Sequence, residues 1–361
     1  MGDLIAQNGG FTGLTIITVL FLLTASLLVA GNLTVDRKAR HVFIVCLLSL
    51  TLITLSDWLN YNLQGTHPEL RIFHIVSMAA TFAVAPILPV AIAHTIFPPS
   101  RAIRWVAPML GAHALFEVAN VFGGFVFSVD ATNTYHRGEL YALYMLAYSV
   151  SAVYLCVQSV RAGVVYQSGN RGTVLAVLLV LVSGVTIQIM YPSMRTSWPS
   201  VSMAVVLYFI YYTEMVFTTD ALTMLLNRHA FDEFLASPQL PCTIVIVDVD
   251  QFKCINDTYG HAFGDVCLKT IAKLLLKAYG SHGRVYRTGG DEFTVILTRR
   301  PERVAELEEK LSAGLDKARE KEGRLPTVSQ GHAVAALGCH DLKQVIEAAD
   351  QAMYETKRSN R

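Results

Sequence analysis

At 361 residues the chain is long enough for more than one domain, and 53% hydrophobic against 16% charged residues is not the composition of one soluble globule. A net charge of +1 leaves no basic surplus of the kind that draws a protein onto duplex DNA or RNA, so no nucleic-acid partner is expected. The averages conceal a division: before Asp220 there are 10 Lys and Arg and 8 Asp and Glu, and from Asp220 onward 19 and 20.

The N-terminal "MGDLIAQNGG" has no basic stretch, so a cleaved signal peptide is not expected. Crossing a bilayer takes roughly 20 apolar residues per helix. Seven segments qualify, at approximately 11–31, 40–60, 72–96, 104–127, 140–160, 173–192 and 199–218. The loops after the first, third and fifth carry Arg37, Lys38, Arg40, Arg101, Arg104, Arg161 and Arg171, and the alternate loops only Arg71, Arg137 and Arg195. That asymmetry predicts an N-terminus outside and a cytoplasmic C-terminal part. The expected division is a transmembrane domain over 1–218 and a second domain over 219–361, with almost no linker after "VVLYFIYYTEMVF".

Within the membrane half, ionisable residues are the natural places to look for function. His113 and Glu117 are four apart, hence on one helical face, while His94 and Asp57 lie on other segments. They read either as polar glue between helices or as part of a ligand- or proton-sensing pocket, for an unidentified small-molecule or physical signal. The outer loop "SVDATNTYHRGELY" has the polar and aromatic groups to line an entrance. Cys46, Cys156, Cys242, Cys254, Cys267 and Cys339 show no CxxC spacing and read as reduced thiols.

From Asp220 the pattern is βαββαβ, an α/β domain. "CTIVIVDVD" is a buried strand, "GDVCLKTIAKLLLKAY" an amphipathic helix, and "GRVYRTGGDEFTVILT" two strands around a tight turn. A helix "PERVAELEEKLSAGLDKAREK", a strand near "PTVSQGHAVAA" and a final helix "DLKQVIEAADQAMYETKR" complete it. The first strand ends in Asp248-Val249-Asp250 and the turn presents Asp291 and Glu292, so strand end and hairpin tip can bring carboxylates side by side. Such a cluster repels itself unless a cation neutralises it, and Mg²⁺ shared with substrate phosphates is the usual solution. Gly289 and Gly290 are expected to supply positive φ and let a ligand approach the backbone. After Asp250 a helix begins, whose first amides with Lys253 would cradle phosphate. Alone, two glycines and two acids also describe an ordinary solvated turn.

Jointly, "DALTMLLNR", "DVDQFKCINDTYGHAFGD", "RTGGDEF" and "ADQAMYETKRSNR" resemble, in order and spacing, the GGDEF-domain diguanylate cyclases. The resemblance covers the chain from about Asp220 onward. It implies a fold like the palm of nucleotide polymerases and adenylyl cyclases, with two Mg²⁺ (or Mn²⁺) ions per active site. By this resemblance Asp248, Asp291 and the Val249 carbonyl are metal ligands, and Asp291 and Glu292 manage the second metal and the attacking hydroxyl. Asn256 and Asp265 match the pair that reads guanine; Lys253, Lys357 and Arg361 match cations near the triphosphate; Gln251 and Phe252 lend amides. Asp250 and Asp257 are expected to cap turns, and His261 to orient its loop. The implied reaction joins two GTP into cyclic di-GMP across a homodimer in a bacterial inner membrane. The membrane half resembles, more weakly, a seven-helix receptor-type sensor.

Three departures stand out. Met224 replaces a usual Gly, the closing "TKRSNR" lacks another Gly, and Gly280 and Gly283 stand where the RxxD product-inhibition motif has Arg and Asp. Weak product inhibition by that route follows. The alternatives are a catalytically silent GGDEF domain serving as a nucleotide sensor, against which the intact acids argue, and an enzyme making an adenine-containing dinucleotide, against which Asp265 argues.

Overall fold

A computed structural model describes residues 9–96, 100–165, 167, 171–191, 194–238, 241–337, 339 and 341–359. They fall into two compact units, one of Met1–Gly163 with Asn170–Thr213, the other of Val164–Gly169 with Glu214–Arg361.

The first unit is helical: α1 (Gly9–Gly31), α2 (Arg37–Leu63), α3 (Arg71–Val84), α4 (Ile87–Ile96), α5 (Ile103–Gly123), α6 (Tyr141–Val165), α7 (Arg171–Met190) and α8 (Ser197–Thr218). Hydroxyls within these apolar helices bond to carbonyls four residues back, as Thr18 does to Leu14 and Ser26 to Leu22, each at 2.8 Å. Those two donors are met within the helix, whereas the buried Thr15 and Thr54 hydroxyls have no hydrogen-bond partner. Asp36 caps α2 by accepting from the Lys38 and Ala39 amides.

Among the described residues six stretches are long and apolar enough to cross a membrane: Gly9–Gly31, Arg37–Leu63, Pro68–Thr95, Ile103–Gly123, Tyr141–Gly163 and Ser197–Thr218. The segment expected at 173–192 contributes a shorter apolar helix, Gly172–Gln188. The segment expected at 72–96 is interrupted between α3 and α4 at Pro86, whose ring removes a backbone donor and crowds the preceding turn.

The polar loop "SVDATNTYHRGELY" forms a small hairpin, β1 (Phe127–Val129) paired antiparallel with β2 (Tyr135–Arg137). It is packed inward. Val126, Phe127 and Val129 are buried against Phe82 and Tyr144, and Asn133, fully buried at φ 63°, donates to the Leu63 and Thr66 carbonyls at 3.1 and 2.9 Å.

The second unit adds α9 (Arg228–Ala236), β3 (Cys242–Val249), α10 (Phe252–Tyr259), α11 (His261–Tyr279), β4 (Gly283–Arg287), β5 (Glu292–Leu297), α12 (Val304–Lys321), β6 (Val328–Ala335) and α13 (Leu342–Ser359). The sheet runs β4-β5-β3-β6 with every pairing antiparallel. Because β3 is central and covered on both faces, it reads as an unbroken apolar run rather than an alternating one. Val245, Val247 and Val249 pack under α11 and α12, while Ile244 and Ile246 pack under α9 and α13. Each such side chain contributes about 1.5–3 kcal/mol on burial. The alternation decides the site: Asp248 continues the face of Ile244 and Ile246, towards α13.

α8 runs into this unit through a braced turn. Asn227 donates from its backbone to Thr218 O at 2.9 Å and from its side chain to Phe217 O at 2.7 Å, and Thr219 bridges Leu226.

Candidate active site

The strand register sets two carboxylates opposite each other, Asp248 on β3 and Glu292 on β5. Cross-strand partners on one face have Cβ atoms about 4.5–5.5 Å apart, so these acids feel each other's charge. Burial raises the Asp248 pKa above the usual carboxylate value; Lys357 opposes that shift, and Asp291 and Asp250 add to it. Burial likewise raises Glu292, with Asp350 and Asp248 contributing and a Thr288 hydroxyl bond opposing.

The hairpin tip is held by backbone bonds. The Thr288 and Gly289 amides donate to Glu292 O at 3.1 and 3.2 Å, and Val249 N donates to Asp291 O at 3.1 Å, tying the tip to the end of β3. Neither Gly289 nor Gly290 has positive φ, contrary to expectation, because the four residues Thr288–Asp291 close the turn without a left-handed position. What the glycines give is space. A Cβ at Gly289 would lie 3.1 Å from the Glu292 Cβ, and a Cβ at Gly290 would meet nothing within 4 Å, leaving that side of its backbone open to a ligand.

The left-handed residue is Gln251, at φ 53°, and it turns the chain from β3 into α10. No side chain caps this helix, so the first amides, at Phe252 and Lys253, are free for an anion. Lys253 is exposed, and Phe252 is half-buried against the core.

Asn256 lies within α10, one turn before the corner into α11 that Gly260 makes at φ 82°. Its side-chain oxygen Oδ1 is buried without a hydrogen-bond partner and lies where a Cβ on Gly264 would come within 2.0 Å. Gly264 is therefore a close-approach residue, and it precedes the exposed Asp265.

Asp250 neither caps a turn nor faces the other acids as a ligand. It accepts from the Thr327 and Ser329 hydroxyls at 2.6 and 2.7 Å, locking the end of β3 to β6. Asp257 and His261 are exposed, and the cap before α11 is Gly260. Lys357, in the last turn of α13, donates to Asp248. Arg361 lies outside the described residues. Among the described residues no three His, Cys, Asp or Glu side chains gather closely enough to hold a metal ion.

Sequence reasoning missed Arg287. Its guanidinium bonds to Asp220 at 3.0 Å and to Gly290 O at 2.6 Å, joining the domain's first turn to the GGDEF turn. The visible signal was a lone Arg just before the glycines.

The polar residues of the membrane half occupy separate places. His94 bonds to the Tyr154 hydroxyl at 3.1 Å, and Asp57 pairs with Arg195 at 2.9 Å. His113 is 3.2 Å from Phe82 O and 3.6 Å from Glu117, whose fully buried carboxylate has no hydrogen-bond partner.

Residues 217–361 match the family model described as "Diguanylate cyclase, GGDEF domain". The chain is 35% identical over 168 residues to diguanylate cyclase DgcZ of Escherichia coli, covering 43% of this chain and 55% of that protein. It is 32% identical over 158 residues to diguanylate cyclase A of Treponema denticola, covering 40% and 43%. The chain thus spans about half the length of these relatives. A solved GGDEF domain of DgcB from Caulobacter crescentus, in complex with c-di-GMP, is 30% identical, with 40% of this chain and 92% of that one covered at a TM-score of 0.36. Residues 217–361, then, form a GGDEF domain of the diguanylate cyclase family.

Proposed function

We propose that the chain is a membrane-bound diguanylate cyclase, condensing two GTP into cyclic di-GMP with release of two pyrophosphates. On this reading 1–218 is a membrane sensor region and 219–361 the catalytic domain. That domain sits on the cytoplasmic side of a bacterial inner membrane, with the N-terminus outside, as the basic loops favour.

The observation that carries the reading is the Asn256 side-chain oxygen, buried without a donor against Gly264, the residue before Asp265. An unmet acceptor costs about 1–3 kcal/mol, so it is kept for a ligand that donates. Guanine presents N1–H and an exocyclic amine to Asn256 and Asp265; adenine does not present that pair.

The amides at the start of α10, with Lys253, bind the triphosphate, and open Gly290 admits it close to the backbone. The donors Asp248, Asp291 and the Val249 carbonyl are hard oxygens that suit Mg²⁺ or Mn²⁺, and the Lys357 ammonium against Asp248 marks a position that favours a cation. When bound, the ions would offset charge on the phosphates. The 3′-oxygen of one GTP attacks the α-phosphorus of the other, the bond to the β-phosphate oxygen breaks, and pyrophosphate leaves. Glu292, its pKa raised by burial, takes the hydroxyl proton, with Asp291 beside it. A reciprocal step closes the ring. Each copy holds one GTP, so the active form is a homodimer under control of a signal at the membrane region.

Gly280 and Gly283 leave no Arg and Asp for RxxD-type product binding, so feedback by that route is weak. The test is the detergent-purified dimer with GTP and Mg²⁺, product identified by mass. Absence of a cyclic dinucleotide overturns the proposal, and an adenine-containing product from mixed GTP and ATP overturns the guanine assignment.

A further inference from the structure

We infer that Lys357 is a built-in counter-ion for Asp248 in the nucleotide-free state, and that a divalent cation gains Asp248 only as Lys357 is drawn away by phosphate. The inference rests on the reading of Asp248 as a metal ligand.

The geometry follows from the fold. Asp248 lies on the sheet face covered by α13, the face of Ile244 and Ile246, and Lys357 sits in the last turn of that helix. Its ammonium donates to the Asp248 carboxylate, with the two side chains only 23% and 18% exposed. An ion pair this sheltered is screened far less than a surface pair, and losing one partner leaves a half-buried charge. Asp248 needs such a partner, because Asp291, Asp250 and Glu292 all crowd it with like charge. The central carboxylate is already turned to a cation of its own chain.

A lysine suits this alternation. Its compact charge rides on a flexible four-carbon stem and can follow a phosphate without the planar two-point grip of Arg. Nucleotide then offers Lys357 a second anion, Asp248 is released, and metal and nucleotide binding become positively coupled. The domain would hold little metal without nucleotide. Magnesium is abundant in cells, so this arrangement would keep four neighbouring acids balanced between turnovers.

The experiment measures Mn²⁺ binding to the full-length protein in detergent by the loss of the free-ion electron paramagnetic signal, without nucleotide. The variants are Lys357→Met, Lys357→Gln, Lys357→Arg and Asp248→Asn. We expect Lys357→Met and Lys357→Gln to bind Mn²⁺ at least about ten-fold tighter than the parent, a gain of about 1.4 kcal/mol. Lys357→Arg, which keeps the charge, should bind like the parent, and adding a non-hydrolysable GTP analogue should enhance Mn²⁺ affinity less in Lys357→Met than in the parent. Unchanged or weaker binding in the folded Met and Gln variants, with binding abolished by Asp248→Asn, overturns the inference and leaves the active-site reading standing. Mn²⁺ binding indifferent to Asp248→Asn overturns the site reading itself, and the inference with it.

Discussion

Asp220 and Arg287 meet at 3.0 Å, 67 positions apart in sequence, and through them the first turn of the GGDEF domain grips the Gly289–Gly290 turn. Asp220 also accepts from the Thr223 amide and hydroxyl at 2.8 and 2.6 Å, while the other Arg287 arm donates to Gly290 O. A turn that directly follows a long apolar helix is thus wired to the β4–β5 hairpin turn.

Breaking this pair loosens both turns at once. Burial alone would raise the Asp220 pKa, but the Thr223 bonds and Arg287 outweigh it and hold the carboxyl below its ordinary 3.8. A depressed pKa contributes stability that is complete above the unfolded value and is lost as pH falls through the folded one. Asp220→Asn should therefore destabilise this unit at neutral pH, by about 1.5–3 kcal/mol for hydrogen bonds to charged groups, and lower its unfolding midpoint. The difference from the parent should shrink below about pH 4. Melting curves across that range check it; an equal difference at both ends would be the wrong result.

Met224 holds a left-handed conformation at φ 61°, with its amide bonded to Asp220 O at 2.8 Å. The resemblance marked this position as a usual glycine, and the structure supplies the reason: the turn keeps its shape and a non-glycine residue bears the strain, of order 1–3 kcal/mol. Glycine regains part of that at a cost of about 0.4–1 kcal/mol in the entropy of the unfolded chain. Met224→Gly should raise the midpoint by roughly 0.5–1 kcal/mol with turnover unchanged. Calorimetry of the purified variant is sufficient; a lower midpoint would mean that the half-exposed Met224 side chain packs well enough to offset its strain.

The order of elements and the pairing of Asp248 with the hairpin acids were legible because an apolar run and a glycine turn are local signals. The role of Asp250 was not: its partners Thr327 and Ser329 lie 77 and 79 residues on, and only the β3–β6 register brings them to it. Lys357 was legible as a cation near the site, but its bond to Asp248 spans 109 positions. Gly289 and Gly290 misled because glycine has two uses, positive φ and small volume, and sequence does not say which is in force. In the membrane half, His94, Asp57 and His113 share a chemistry but not a location, since helix packing rather than spacing decides which polar groups meet.

Gly283 bears on product feedback. A Cβ there would fall 2.1 Å from the Ile296 carbonyl on the neighbouring strand, closer than real Cβ contacts allow. Writing Arg and Asp back at 280 and 283 should therefore not graft an inhibitory site onto this backbone. We expect Gly283→Asp to destabilise β4 against β5, by about 1–3 kcal/mol as an overpacking substitution. The double variant Gly280→Arg/Gly283→Asp should show a lower melting midpoint and unchanged sensitivity to added cyclic di-GMP. Strong product inhibition in a stable double variant would contradict this.

If Glu292 takes the hydroxyl proton as proposed, it joins catalysis to stability with opposite signs. Burial, Asp350 and Asp248 raise its pKa above the ordinary 4.5, against the bond from Thr288. A raised carboxyl holds its proton more tightly folded than unfolded, so ionising it opposes folding. The penalty is absent below the unfolded pKa, grows as pH climbs through the folded one, and persists at neutral pH. Gln keeps the shape and the Thr288 bond but carries no charge. Glu292→Gln should thus melt higher than the parent near neutral pH and together with it near pH 4, while turnover falls by about 10²–10⁴-fold, the usual worth of a positioned proton acceptor. Melting and product formation on the same preparations read both halves. A variant that lost activity and stability together at neutral pH would make Glu292 a structural residue of the turn, and one that kept activity would remove it from the chemistry.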